Sequence, residues 1–261
     1  MKDCFYPDNL SDYDLPKNSK LNELIDKSYI INLNKHKFKL KRFMKNKNHK
    51  NFKNNFNVIN AIDGKKLKKE NISLDKVKLT YEWNDYLKVS AIPQIKNLLL
   101  NNQVTMSDTE IGICLSHLKC WKDFHKNSKQ GNYALIVEDD VVFCDNFENK
   151  LKLILDSIEN IKHHMLYLGY LPDRWSFDVD DLNDFCYKIK NGVWFLSYII
   201  SWEAINELIN RLPIFGPVDM WIQLQFDFLN PIGTKKFLCI QEDYYKSSNT
   251  YSFFSGKHNQ F

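Results

Sequence analysis

The chain lacks closely paired cysteines, long apolar runs, internal repeats and a strong excess of charge of either sign. Cys4, Cys114, Cys120, Cys144, Cys186 and Cys239 are scattered, which argues against a disulfide framework and points to reduced, mostly buried thiols. No apolar segment approaches the length of a membrane span. The longest, residues 193–200, is interrupted by Ser197 and reads as a core strand. The polar opening MKDCFYPDNL carries no secretory h-region, so the expectation is a cytoplasmic protein with no integral membrane segment. A net charge of +4 over 261 residues is far below what a dedicated nucleic-acid binder needs. Residues 35–53 do concentrate Lys, His and Asn around Phe38, Phe43 and Phe52, but the rest of the chain balances them, and no nucleic-acid partner is expected.

What is present is enough apolar material, 44% of residues, to build a substantial core without cross-links. YIINL (29–33) and FNVINAI (56–62) are short β-branched runs that read as strands, and the basic, amphipathic KHKFKLKRF between them reads as a helix. Residues 107–125 form the clearest helix. Ser107 and Glu110 make a capping box, and Ile111, Cys114, Leu115, Leu118 and Trp121 recur on one face. YALIV (133–137) shows no alternation and predicts a central strand covered on both faces. Further strands are expected at 165–169, 193–200 and 236–240, with helices at 147–161, 202–212 and 219–228. Alternation of strands and helices predicts an α/β fold with a mainly parallel central sheet flanked by helices.

Into this pattern falls ALIVEDDVVF, where Glu138, Asp139 and Asp140 interrupt an apolar stretch. Acidic clusters are usually solvated faces, but apolar residues on both sides draw this one inward, where uncompensated charge is costly. At the carboxyl end of a central strand it would face the crevice in which α/β sheets bind ligands. In extended backbone Glu138 and Asp140 point one way and Asp139 the other, a pair suited to a hard cation such as Mn²⁺ or Mg²⁺. The spacing of Cys114 and His117 has no second pair to complete a zinc site.

ALIVEDDV resembles the acidic signature of glycosyltransferase family 25, a family that includes lipooligosaccharide and collagen hydroxylysine galactosyltransferases. YIINLNKHKFKLKRF, NAIDGKKL and EIGICLSHLKCW resemble three further family stretches in the same order, and GPVDMWI and QEDYYKSSNT resemble weaker ones. The resemblance implies a GT-A-type, Rossmann-like fold in one domain over 28–250, between an arm (1–27) and a tail (251–261). It implies inverting transfer of galactose or glucose from a UDP-hexose donor to a glycan or hydroxylated protein acceptor. Glu138 and Asp140 would hold the metal, with His258 as a further ligand. Asn32, Asn34, Asp63, Gly64, Ser116, His117, Glu138 and Asp139 would surround the donor. Where the family commonly has arginines after its first strand, this chain has Asn34, Lys35, His36 and Lys39, of which the lysines can neutralise phosphate without a bidentate fork.

Inversion also requires a base for the acceptor hydroxyl. Asp219 is the candidate, and its place after Pro217 at a helix start gives it an equally good structural role at the helix N-terminus. Trp221 could stack on a sugar or fill the core. A module that binds sugar nucleotides or glycans without catalysis is the alternative reading.

Overall fold

The computed structural model describes residues 25–46, 56–82, 103–172, 177–191 and 193–241. Its strands are β1 (Ile25–Asn32), β2 (Phe56–Asn60), β3 (Thr80–Glu82), β4 (Gln103–Thr105), β5 (Tyr133–Glu138), β6 (Val141–Phe143), β7 (Met165–Pro172), β8 (Asp178–Asp181), β9 (Cys186–Asn191), β10 (Val193–Ser201), β11 (Ile232–Thr234) and β12 (Cys239–Gln241). The α-helices are α1 (Lys37–Lys45), α2 (Asp108–Asn127), α3 (Phe147–Ser157), α4 (Trp202–Asn210), α5 (Val218–Gln223) and α6 (Phe226–Leu229).

Eight strands form one sheet in the order β2-β1-β5-β10-β7-β11-β9-β8. β2, β1 and β5 are parallel, as are β7 and β11. β10 runs against both β5 and β7, and β9 against both β11 and β8. Six strands therefore share one direction and two oppose it, the mainly parallel α/β sheet the sequence predicts. The crossover from β5 to β7 through α3 leaves a slot between them, and β10 fills it later in the chain.

The core lies on both faces of this sheet. Ala134 and Ile136 of β5 join the cluster under α2, α4 and α5, which contains Trp121, Phe124 and Trp221. Leu135 and Val137 join the opposite cluster with Phe43, Phe143, Phe147 and Leu151. A strand buried this way on both sides needs no polar alternation, which is why YALIV shows none. Helix α2 starts with the expected capping box: Ser107 Oγ accepts from the Glu110 amide, and the Glu110 carboxylate accepts from the Ser107 amide. Such a cap contributes about 1 kcal/mol and fixes where the helix begins.

Several elements differ from expectation. Residues 219–228 form two short helices, α5 and α6, and the late strand is β12, which pairs with β6 in a separate two-stranded sheet. β8, β9 and β11 extend the main sheet where no strand was expected. β1 begins at Ile25, four residues before the expected start of the strand at Tyr29. The five described cysteines are all free and buried. Among the described residues no helix is long and apolar enough to cross a membrane.

Candidate active site

β1, β2 and β5 run parallel, and the segments that leave their carboxyl ends surround a cavity of about 190 Å³. Leu33, Lys35, His36 and Lys39 follow β1, Asp63, Gly64 and Lys65 follow β2, and Glu138, Asp139 and Asp140 close β5. Helix α2 contributes Ser116 and His117 from above. Asp63, Gly64, Ser116, His117, Glu138, Asp139 and Asp140, from three separate segments of the sequence, thus line one space. Asn32, Asn34 and Asp219 do not line it, and His258 lies outside the described residues.

The three carboxylates are not arranged as an extended strand would have them. β5 ends at Glu138, and Asp139 and Asp140 form the turn into β6, so strict alternation stops there. Lys39 Nζ contacts Asp140 Oδ2 at 3.0 Å and Asp139 Oδ1 at 3.5 Å. Asp139 and Asp140 thus share one cation, while Glu138 continues the face of Ala134 and Ile136, toward α2. Asp139 also accepts from Asn32 Nδ2 at 2.5 Å, and that amide donates to the His36 carbonyl at 3.2 Å. Asn32, expected to touch the donor, therefore holds Asp139 in place from beneath. Gln241 donates to Asp140 Oδ2 at 3.2 Å.

Lys39 was not singled out from sequence as the partner of the acidic triplet, although a signal was there. It lies four residues before Phe43, the buried residue of α1, so the two share a helix face and the ammonium is carried toward the strand ends. Burial opposes its charge, but Asp140 and Asp139 outweigh that and raise its pKa.

Burial raises the pKa of Glu138 well above the carboxylate norm, reinforced by Asp140, Asp139 and Asp219. Burial also raises Asp139, against the pull of Lys39 and Asn32. Asp63 is the opposite case: a 2.8 Å ion pair with Lys35 lowers its pKa and keeps it ionised at the cavity edge.

The Asp63–Gly64 turn is built by close approach. A Cβ on Gly64 would stand 1.6 Å from the Asp108 carbonyl oxygen, and one on Gly112 would stand 2.6 Å from that of Ile62. Ser116 Oγ completes the junction, accepting from the Ile62 amide at 2.8 Å and donating to the Gly112 carbonyl at 2.6 Å. Ser116 and Gly64 thus join the first turns of α2 to the end of β2, which fixes His117 at the cavity wall.

His117 is buried. Its Nδ1 lies 2.8 Å from the Tyr198 hydroxyl, and burial pushes its pKa down to about 3, so the ring is neutral at physiological pH. Asp219 lies in the first turn of α5, half-buried, and accepts from the Met220 amide at 2.9 Å. Burial raises its pKa to about 7, partly offset by that amide and increased by Glu110. Trp221 is fully buried and stacks on Trp121 with ring centroids 6.2 Å apart, so it belongs to the core and not to a sugar platform. Cys114 is buried and donates to the Gly216 carbonyl.

The residues fit a divalent cation in one limited form. Asp140 Oδ1 is buried without a hydrogen-bond partner among the described residues, whereas no three His, Cys, Asp or Glu side chains there converge into a cage. That donor set suits an ion shared between carboxylate and ligand oxygens.

An α/β sheet with an acid-lined cavity at a parallel strand edge defines a class of ligand-binding fold. The family model for "Glycosyltransferase family 25 (LPS biosynthesis protein)" matches residues 25–222, and the chain belongs to that family. Procollagen galactosyltransferase 2 of Homo sapiens is 24% identical over 239 residues, 87% of this chain and 33% of the relative. The procollagen lysyl hydroxylase and glycosyltransferase of Acanthamoeba polyphaga mimivirus is 26% identical over 196 residues, 72% of this chain and 20% of the relative. The inactive glycosyltransferase 25 family member 3 of Mus musculus is 25% identical over 176 residues, 65% of this chain and 27% of the relative. The chain thus spans a third or less of the length of these relatives.

Proposed function

We propose that this chain transfers a hexose, galactose or glucose, from a UDP-sugar to a hydroxyl of a glycan or of a hydroxylysine-type protein acceptor, with inversion. The observation that carries this reading is the convergence of Asp63, His117 and the 138–140 triplet on one cavity at the carboxyl ends of three parallel strands. That is where such sheets receive nucleotides. The relatives named for procollagen support a collagen-type acceptor, and the family description supports a lipopolysaccharide-type glycan.

Asp63, kept ionised by Lys35, accepts from ribose hydroxyls. Lys35, His36 and Lys39 set positive and polar groups around the diphosphate. Asp140, through its unpartnered oxygen, and Glu138 hold Mn²⁺ or Mg²⁺, which when bound neutralises charge on the departing diphosphate. Glu138 reaches toward ribose and donor sugar from the α2 side. Asp219 takes the proton of the acceptor hydroxyl, and a pKa of about 7 suits a base at neutral pH.

The test is UDP release from UDP-galactose and UDP-glucose, with and without Mn²⁺, by the wild type and by Asp140→Ala. Metal-stimulated release lost in the variant is the expected result. Failure of the wild type to bind UDP at all would remove the reading.

A catalytically silent module of the same fold is the second reading. It is favoured by relatives named inactive or probably inactive and by the use of Asp219 as an acceptor within its own helix turn. UDP binding by calorimetry, with no turnover of any UDP-hexose in the presence of hydroxylysine or glycan acceptors, would select it.

A further inference from the structure

Lys39 stands where a cation in the cavity has most to gain. Its Nζ lies 3.0 Å from Asp140 Oδ2 and 3.5 Å from Asp139 Oδ1, and the three side chains are only 11–19% exposed. With so little water around them, these charges attract more strongly than a surface pair at the same distance.

Charge is what the lysine contributes, because orientation is supplied by neutral groups. Asn32 Nδ2 donates to Asp139 Oδ2 at 2.5 Å and to the His36 carbonyl at 3.2 Å. Gln241 Nε2 donates to Asp140 Oδ2 at 3.2 Å. Each aspartate therefore keeps an uncharged donor whether or not the ammonium is present. The backbone of Lys39 is held too, since Phe43, one turn further along α1, is buried in the core cluster with Phe143 and Phe147. The ammonium itself ends a flexible four-carbon stem, and Lys39 lines the cavity beside Lys35 and His36. It can change partner while the helix and the carboxylates stay in place.

An ammonium and a divalent ion on one carboxylate repel each other, and a poorly hydrated site makes that repulsion costly. Asp140 therefore serves one of them well at a time. The diphosphate of a nucleotide in the same cavity offers the ammonium another partner of the same sign.

We propose that Lys39 is a built-in counter-ion for residues 138–140: it holds the place of the divalent cation until a diphosphate enters, then passes from Asp140 to the diphosphate and opens the carboxylate to the ion. This rests on the UDP-sugar reading for the diphosphate, but not for the competition between Lys39 and the ion, which needs no nucleotide. Ion and nucleotide then favour each other beyond their direct contact, and by linkage the effect is reciprocal. The consequence is a site that does not load metal ahead of its donor.

Titration with Mn²⁺ alone, read from the electron paramagnetic resonance of the free ion, tests the competition. Lys39→Gln removes the charge and keeps a polar side chain, and it should bind Mn²⁺ about tenfold tighter than wild type, within the usual range of such couplings. Lys39→Arg keeps the charge and should bind no tighter than wild type. Adding Asp140→Asn to Lys39→Gln should abolish the gain. Saturating UDP should narrow the difference between wild type and Lys39→Gln to within about threefold, because the wild-type ammonium has then left Asp140. A second measurement uses the wild-type fold: the ¹⁵N resonance of Lys39 Nζ, assigned by its loss in Lys39→Arg, should shift when UDP and Mg²⁺ are added together.

Equal or weaker Mn²⁺ binding by a cooperatively melting Lys39→Gln, an equal gain in Lys39→Arg, or a gain that survives the loss of Asp140 overturns the proposal. A difference that UDP leaves unchanged, or an Nζ resonance that does not move in protein that binds UDP, overturns the transfer to the diphosphate. No Mn²⁺ binding by any of these proteins also overturns it, and leaves the nucleotide reading to UDP calorimetry. A wild type that binds no UDP removes the nucleotide reading, and the Mn²⁺ titration still decides the competition at Asp140.

Discussion

Aspartate meets lysine at an edge of the sheet and again at the carboxyl end of a central strand, with different consequences. At the β8–β9 edge, Lys190 contacts Asp180 at 2.6 Å and Asp178 at 4.0 Å, and Lys235 contacts Asp181 at 2.7 Å, with the aspartates 55–77% exposed. At the β5 end, Lys39 meets Asp139 and Asp140 with side chains only 11–19% exposed. Water screens the first set, so those pairs keep the edge soluble and little else. The second set is desolvated, with Glu138 beside it, and one lysine faces a triplet of carboxylates. The difference lies in burial, not in residue type: of the two sites, the second holds desolvated negative charge that a cation can relieve.

The comparison is sharpened most by Asp140→Ala, which should reduce transfer about 100-fold or more, measured as UDP release, because charge stabilisation at a leaving group is usually the largest single contribution. Asp219→Asn should lower kcat about 100-fold or more if Asp219 is the base. Its pH dependence carries the sign. Asp219 is protonated below about 7 and ionised above, so kcat/KM should rise with pH and level off beyond about 7, and the asparagine variant should lose that limb. The same raised pKa means that stability linked to Asp219 falls as pH rises from about 4 to about 7, so the variant should gain melting temperature relative to wild type at pH 8. Lys39→Met should weaken UDP binding about tenfold in calorimetry, by removing a cation from the diphosphate wall. Asp180→Asn, at the exposed edge, should change neither melting temperature nor UDP release measurably. A variant there that abolished activity would erase the distinction between the two sites.

Legibility from sequence followed the same division. β5, β7 and β10 are apolar on both faces, and their continuous runs were readable as strands. β8 and β9, DVDD and CYKIKN, are polar or charged on their exposed side and belong to an edge hairpin, so their pattern resembled a loop. β11 has three residues, too few for periodicity. In the site, Asp63, Ser116 and His117 were readable through the family resemblance and the triplet through its charge inside an apolar run, and one cavity brings them together. The pairings of Asn32, Lys39 and Tyr198 were not legible because their partners lie 107, 101 and 81 residues away, and sheet order decides such pairings. The side-chain alternation assumed for residues 138–140 failed because it holds only while the strand lasts.

The late insertion of β10 sets a schedule for the nascent chain. β5 and β7 are synthesised early but share no edge, and the strand that bridges them ends at Ser201. Without β10, β5 and β7 lack the strand that lies between them, and His117 lacks its Tyr198 contact. A fragment ending before β10 would keep every acidic residue of the 138–140 motif and still lack the wall against which its histidine is set.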